Sequence, residues 1–492
     1  MTRPAESICI AALKGGSGKT VLSVGMIAAW HEEGFKVAAF KKGPDFIDAG
    51  WHSFAAGSPC RNLDSFMMNA SQIKESFSRH AAGADIALVE GNRGLYDGLD
   101  TRGRCSTAEL AKLLNLPVIL IVDVTMVTRT VAAIVKGCQV FDPDIELNGV
   151  ILNRVAGPRQ EKLIRETVEG YCEIPVVGAV PKLKNDPFPE RHMGLVPHQE
   201  QRCGSEAVSW AKDIAFKYLD LSLIRKIAAT GKHKGFLTGS PSPGRPPGRP
   251  DKEKNPDYGD SAIPAPGSST RAPLRIGVIK DSVFWFYYPE NLESLARAGA
   301  SLIELDSIAD GALPPLDALY IGGGFPETQP ELLSSNTTFL NSLKTAADDG
   351  LPIYAECGGF MYLGRGLHVG DRFYPMAGVL PVDFILKKKP RGHGYTILET
   401  VGENPYFRPG DIIKGHEFHY SEPVLTSDKG FSFAFRVNRG HGIDGRRDGM
   451  CFKNVLGVYT HIHAAGTPAW AQAITRSARS LKRLNKKLPS AA

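Results

Sequence analysis

At 492 residues the chain has room for two or three domains, and it contains no run of 18 apolar residues and no charged-then-apolar leader. A cytoplasmic protein with no membrane partner is therefore the expectation. The net charge of +6 points towards nucleic acid only until it is located: residues 231–272 carry +3 and residues 466–492 carry +6, which leaves −3 on the remainder, so nucleic acid is not an expected partner either.

The first apolar run, Ile8 to Ala12, reads as a buried strand. It feeds Leu13-Lys14-Gly15-Gly16-Ser17-Gly18-Lys19-Thr20, and the apolar spacing of Val21 to Trp30 then predicts a helix. Strand, glycine turn and helix form the context of a phosphate-binding loop. Its backbone N–H groups converge on an anion, and the helix N-terminus adds its positive dipole end. Lys14, Gly15, Gly16, Ser17 and Gly18 are thus expected to cradle ATP. Lys19 would reach the β- and γ-phosphates, and the Thr20 hydroxyl would ligate Mg²⁺. Leu13 stands where the usual pattern has glycine, and the Lys14 variant resembles the loops of the MinD/ParA and dethiobiotin-synthetase group.

Further strands are expected at 36–40, 85–89, 117–123 and 147–153, separated by helix-length segments. Continuous apolar strands with helical crossovers predict a parallel sheet covered on both faces, with its chemistry at the carboxyl ends of the strands. Asp45, Asp48, Glu90 and Asp97 fall just past such ends, as does Asn153. Four carboxylates near a triphosphate repel one another without a cation, and Mg²⁺ takes one or two carboxylates together with phosphate oxygens. Asp45 and Glu90 are read as its ligands, and Asp48 and Asp97 as groups that position substrate or ammonia. At least one of the four is expected to be only a helix N-cap. Asn153-Arg154 and Ala179-Val180-Pro181 are placed to read an adenine ring.

Residues 238–272 are rich in Pro, Gly and Ser and nearly devoid of large apolar side chains. Such a segment cannot offset its ordering entropy. The expected division is a P-loop domain (1–230), a linker (231–272), a second domain (273–465) and a basic tail (466–492) that forms a surface helix. The eight cysteines include no C-x-x-C pair, which predicts reduced thiols.

The second domain opens on a strand at 274–279, with others ending at Ile321 and Ala355. The latter delivers Glu356-Cys357-Gly358-Gly359, a nucleophile-elbow arrangement in which a tight turn exposes sulfur and the helix N-terminus is expected to lower the thiol pKa. The Gly322, Gly323 and Gly324 turn offers N–H groups for an oxyanion hole. A general base is still required, and Val458-Tyr459-Thr460-His461-Ile462-His463 offers one at the end of a late strand. The overall fold class is α/β, with two doubly wound, mostly parallel-sheet domains.

Two stretches carry a specific resemblance: Lys42-Gly43-Pro44-Asp45-Phe46-Ile47-Asp48, and Val89-Glu90-Gly91-Asn92-Arg93-Gly94-Leu95-Tyr96-Asp97-Gly98. Together they resemble the cobyrinate a,c-diamide synthase family, whose amidation domain is related to dethiobiotin synthetase. The second domain resembles class I glutamine amidotransferases. In most of those the base is followed two residues later by glutamate; here His463 takes that place, as in the cobyrinate-type branch with its Cys–His pair. The resemblance implies Cys357 and His461 as the catalytic pair, with His463 as an orienting neighbour. Lys414 to Ser421 also resembles the family and is expected to stiffen the site or face the other domain.

An ionised carboxylate resists ammonia because its leaving group would be oxide, so phosphoryl transfer to an acyl phosphate explains why one chain joins a nucleotide site to a glutaminase. The resemblance supplies the substrates, glutamine and a tetrapyrrole polycarboxylate: cobyrinate, amidated at its a and c side chains. Ni-sirohydrochlorin and hydrogenobyrinate are the alternatives within the class, and a homodimer is the assembly to test. A MinD/ParA-like ATPase switch is the alternative from another class, and residues 274–465 argue against it. A non-catalytic sensor would be expected to lack Cys357 or Lys19; both are present.

Overall fold

The computed structural model describes residues 5–183, 187–188, 190–191, 194–195, 204–231 and 273–487. The linker expected at 231–272 lies, but for Gly231, outside the described residues.

The first half alternates strands and helices: β1 (Glu6–Ala12), α1 (Lys19–Glu32), β2 (Val37–Lys42), α2 (Phe46–Ala56), β3 (Arg61–Leu63), α3 (Ala70–Ala81), β4 (Ile86–Glu90), α4 (Thr107–Leu114), β5 (Val118–Asp123), α5 (Thr130–Phe141), β6 (Leu147–Val155), α6 (Pro158–Cys172) and β7 (Val176–Pro181), then α7 (Gly204–Tyr218) and α8 (Leu221–Ala228). All seven strands run parallel in the order β3-β2-β4-β1-β5-β6-β7. Ile86 to Val89 and Val118 to Val122 are wholly buried, as strands covered on both faces must be. One face packs Trp30 and Trp51 with α1, α2, α7 and α8; the other packs Phe40 and Phe77 with α3 to α6. β1 lies between β4 and β5, so the glycine loop that follows it opens at the centre of the carboxyl edge, where ligands of such sheets sit.

The second half is built on a ten-stranded sheet whose character changes midway. Strands 300–305, 274–279, 318–321, 353–356 and 455–458 run parallel; strands 447–452, 432–439, 392–400, 412–419 and 461–462 continue the sheet antiparallel. Strands 455–458 and 461–462 are separated by two residues yet lie far apart in this order, so the antiparallel part curls round. His416 is thereby brought opposite His461.

The C-terminal segment differs from the expected surface tail. A helix spans Ala469–Lys487, and Trp470, Ile474 and Ala478 are buried against the core that holds Tyr320 and Tyr354. Apolar side chains at intervals of four make one helix face, and that stripe outweighs the basic composition. Lys482 closes the contact, with Nζ 2.9 Å from Asp317. The described cysteines are all free thiols.

Candidate active site

The loop between β1 and α1 carries its conformation in Gly18, whose φ of 86° is left-handed and whose hydrogen faces Asn153: a Cβ there would lie 2.5 Å from Asn153 Nδ2. No side chain caps α1, so the helix N-terminus is open towards an anion. Lys14, Gly15 and Gly16 are exposed at the rim and Ser17 is buried beneath them. Lys19 is buried, and its Nζ donates to the carbonyls of Lys14 (3.2 Å) and Arg93 (2.8 Å). Burial pushes its pKa down. Asn153 donates to Ser17 O (2.9 Å) and accepts from the Arg154 N–H (2.9 Å). Its amide thus helps shape the loop. Arg154 likewise binds Asp123 (2.7 Å) and Gly16 O (3.2 Å).

The four carboxylates separate by role. Glu90, at the end of β4, is wholly buried; its Oε1 accepts from Thr20 Oγ1 (3.0 Å) and pairs with Lys41 Nζ (2.7 Å), and its Oε2 lies 2.6 Å from His52 Nε2. Burial would raise the Glu90 pKa, but Lys41 and His52 hold it well below the usual carboxylate range. Lys41 also binds Asp48 (2.6 Å). Burial opposes its charge, and Asp48 and Glu90 overcome that and hold its pKa above the usual lysine range. Asp45, read from the sequence as a Mg²⁺ ligand, is an N-cap here: its Oδ1 accepts the Ile47 and Asp48 N–H groups at the start of α2. Burial, with the Asp48 charge, pushes its carboxyl up to about 6. Asp97 accepts the Gly94 N–H (2.9 Å) and braces the loop after β4.

Thr20 and Glu90 together offer the oxygen donors that suit Mg²⁺ beside a phosphate. Among the described residues no group of three His, Cys, Asp or Glu side chains could hold a metal.

Cys357 sits between the strand Ile353–Glu356 and the short helix Gly358–Leu363 with φ of 47° and ψ of −102°, strain of the kind that turns a nucleophile out of its elbow. The thiol is nevertheless buried, its Sγ 3.7 Å from Phe418 O. Burial, joined by the Glu327 charge, pushes its pKa up, although the Gly358 N–H works the other way. Burial thus works against the lowering expected from the helix end.

Gly322 is not free for an oxyanion: its N–H donates to Tyr287 Oη (2.7 Å), which itself bonds to Ile279 O. Gly323 and Gly324 form a short strand paired with Phe286 and Phe284. A Cβ on Gly323 would collide with His461 Cε1, and a Cβ on Gly358 would lie 2.7 Å from Gly324 O. The glycine turn is therefore wedged between the helix that follows Cys357 and the His461 ring. His461 is buried, with Nδ1 3.5 Å from Glu356 Oε2. His463 faces elsewhere than expected: its Nε2 is 3.6 Å from Glu290 Oε2 and its Nδ1 accepts from the Ala465 N–H.

The two halves meet at Phe46, inside the Lys-Gly-Pro-Asp-Phe-Ile-Asp stretch. Its ring stacks on Phe286 (4.8 Å) and Tyr288 (4.5 Å) and lies 5.4 Å from the ring of His461 and 5.6 Å from that of His416. Tyr288 Oη donates to Pro44 O (3.2 Å), Arg61 pairs with Glu293 (2.6 Å), and Tyr395 Oη donates to Asp64 (2.7 Å). His416 thus does face the other half, as its motif implied. Lys41, His52, Phe46 and Glu356 are the members of this centre that sequence reasoning missed. Only a buried position for charged Lys41, at the end of an apolar strand, could have signalled one of them.

Residues 8–196 match the CobQ/CobB/MinD/ParA nucleotide binding domain, and residues 275–469 match the CobB/CobQ-like glutamine amidotransferase domain. The cobyrinate a,c-diamide synthase of Magnetococcus marinus is 42% identical over 95% of this chain and 96% of its own length. That of Archaeoglobus fulgidus is 39% identical over 96% and 98%, and that of Methanosphaera stadtmanae 36% identical over 94% and 97%. A nucleotide-binding half joined to a glutamine amidotransferase half is the make-up of a carbon–nitrogen ligase. On this identity, sustained over nearly the full length of both partners, the chain belongs to the cobyrinate a,c-diamide synthase family.

Proposed function

We propose that this enzyme amidates the a and c carboxylate side chains of cobyrinate, using ATP and glutamine, in cobalamin biosynthesis. The observation that carries this reading is the contact of Phe46 with His461, which sets the loop bearing Asp45 and Asp48 directly against the glutaminase histidine. Lys19 and the loop N–H groups bind the triphosphate and offset charge on the transferring phosphoryl group. Thr20 and Glu90, with Asp45 as a further candidate ligand, would hold Mg²⁺, which would supply further charge neutralisation. Asp48 and Asp97 orient the substrate carboxyl and the incoming ammonia.

In the second half His461 takes the Cys357 proton, and the sulfur attacks the glutamine amide to give a thioester and ammonia. Gly323 and Gly324 face the tetrahedral oxyanion. Water then releases glutamate from the thioester, while ammonia displaces phosphate from the acyl phosphate. The test is product mass from cobyrinate with each nitrogen source. Cys357→Ser is expected to be inactive with glutamine yet to amidate with concentrated ammonium salt at mildly alkaline pH; Lys19→Ala is expected to fail with both. Normal use of glutamine by Cys357→Ser would overturn the glutaminase assignment, and amidation by Lys19→Ala would overturn the nucleotide assignment.

A further inference from the structure

We propose that Glu356, the residue immediately before the nucleophile, is the positioning carboxylate of the glutaminase: it accepts the Nδ1 proton of His461 and so directs the basic Nε2 towards Cys357.

Four observations converge on it. Glu356 is 1% exposed, a carboxylate held where burial needs a compensating partner. Its Oε1 accepts the Ile462 N–H (3.3 Å) and its Oε2 accepts Tyr320 Oη (3.1 Å), so its position is fixed from both sides. His461 Nδ1 is itself buried and makes no other hydrogen bond within the described residues; Glu356 Oε2, at 3.5 Å, is the carboxylate that faces it. The Cε1–Nε2 edge of the ring lies against Gly323, and the next residue of that turn, Gly324, packs on Gly358 at the start of the nucleophile's helix. A separation of 3.5 Å is long for a formed bond, but catalytic hydrogen bonds commonly tighten only when substrate is bound.

Strand pairing explains the juxtaposition. Glu356 is in register with Val458, and the Cys357 N–H donates to Val458 O (2.7 Å). Three residues beyond Val458 the chain reaches His461, so one parallel strand pair delivers nucleophile, base and carboxylate to the same end. The remaining neighbours of His461 cannot serve. Phe46 and Phe286 are apolar, and His416 stacks on it at 4.9 Å but is no anion. Glu290 is turned to His463. With Nδ1–H held by Glu356, the Nε2 lone pair can take the Sγ proton, and the imidazolium so formed is stabilised before it returns that proton to the leaving ammonia.

The inference rests on His461 being the base, and the experiment separates the two. Glutaminase kcat and KM and ammonia-dependent amidation are measured for His461→Asn, Glu356→Gln and Glu356→Asp. His461→Asn should be inactive with glutamine and active with ammonia; if it uses glutamine normally, the base assignment falls and the Glu356 role with it. Glu356→Gln should lower glutamine-dependent kcat by about 100-fold or more, with KM for glutamine within about threefold and ammonia-dependent amidation within about twofold. Glu356→Asp, which restores the charge, should recover at least about a tenth of the wild-type kcat. A Glu356→Gln enzyme within about twofold of wild type, beside an inactive His461→Asn, overturns the Glu356 role alone; so does a Glu356→Asp enzyme as crippled as Glu356→Gln. Should Glu356→Gln fail to fold, the wild-type enzyme decides. With ¹⁵N-labelled histidine, and the His461 signals assigned by their loss in His461→Asn, neutral His461 should carry its proton on Nδ1; a proton on Nε2 refutes the assignment.

Discussion

Lys41 is the most exacting test of the nucleotide site, because the structure places its ammonium where no water replaces it. It is 1% exposed, with Nζ 2.6 Å from Asp48 and 2.7 Å from the wholly buried Glu90. Lys41→Met keeps the aliphatic stem and removes the charge. Breaking a buried ion pair from one side costs about 3–5 kcal/mol, chiefly from the charge left behind. Here Glu90 keeps His52 and Thr20, and the Asp48 side chain is 18% exposed and can draw water, so the lower end, about 3 kcal/mol, applies. For a domain of this size each kcal/mol moves the unfolding midpoint by about 2–4 °C, which gives a fall of about 6–12 °C. Trp30 and Trp51, both wholly buried in this half, make its unfolding visible by fluorescence. Adding Glu90→Gln removes the stranded charge, so the double variant should lose less than the sum of the singles by about 1–3 kcal/mol. A midpoint within about 1 °C of wild type for Lys41→Met, or additivity within about 0.5 kcal/mol, would refute the reasoning.

Gly323→Ala should drive its Cβ into His461 Cε1; a shift of the base on the order of 1 Å lowers glutaminase kcat by about tenfold or more while ammonia-dependent amidation persists, and unchanged kcat would contradict the wedge. Phe46→Ala removes two ring stacks between the halves, worth about 1–3 kcal/mol together; glutamate released per amide formed should rise above one, and an unchanged ratio would show that the contact does not couple the sites. Burial pushes the Asp448 carboxyl from 3.8 up to about 7. The folded state therefore keeps a proton that the unfolded chain gives up, and its contribution to stability falls as pH rises from about 4 to about 7. Asp448→Asn should narrow the difference in urea midpoint between about pH 5 and about pH 8, and an equal difference would count against the raised value.

The sequence by itself determined the elements whose chemistry is local. Ile86 to Val89 and Val118 to Val122 are short, β-branched-rich apolar runs, which by length and composition read as strands covered on both faces. Gly15 to Thr20 between strand and helix carry the pattern of an anion-binding turn in six consecutive residues. Cys357 before Gly358-Gly359 carries its elbow in three residues, and the left-handed φ observed there is a local property of that turn. Tertiary structure decided what depends on residues distant in the chain. The Gly322 N–H is taken by Tyr287, 35 positions away, so no inspection of the glycine run could tell which of its N–H groups stay free. The thiol pKa of Cys357 rises because the antiparallel part of the sheet curls over it, and burial outweighs the helix end. Glu356 reads in sequence as the last residue of a strand; only the parallel pairing with Val455–Val458 turns it towards His461. Phe46 reads as an apolar residue at a helix start, and only the docking of the two halves sets it against His461. Backbone preference and hydrophobic pattern act over a few residues, whereas burial, charge pairing and the direction of a side chain are set by whatever long-range packing brings alongside.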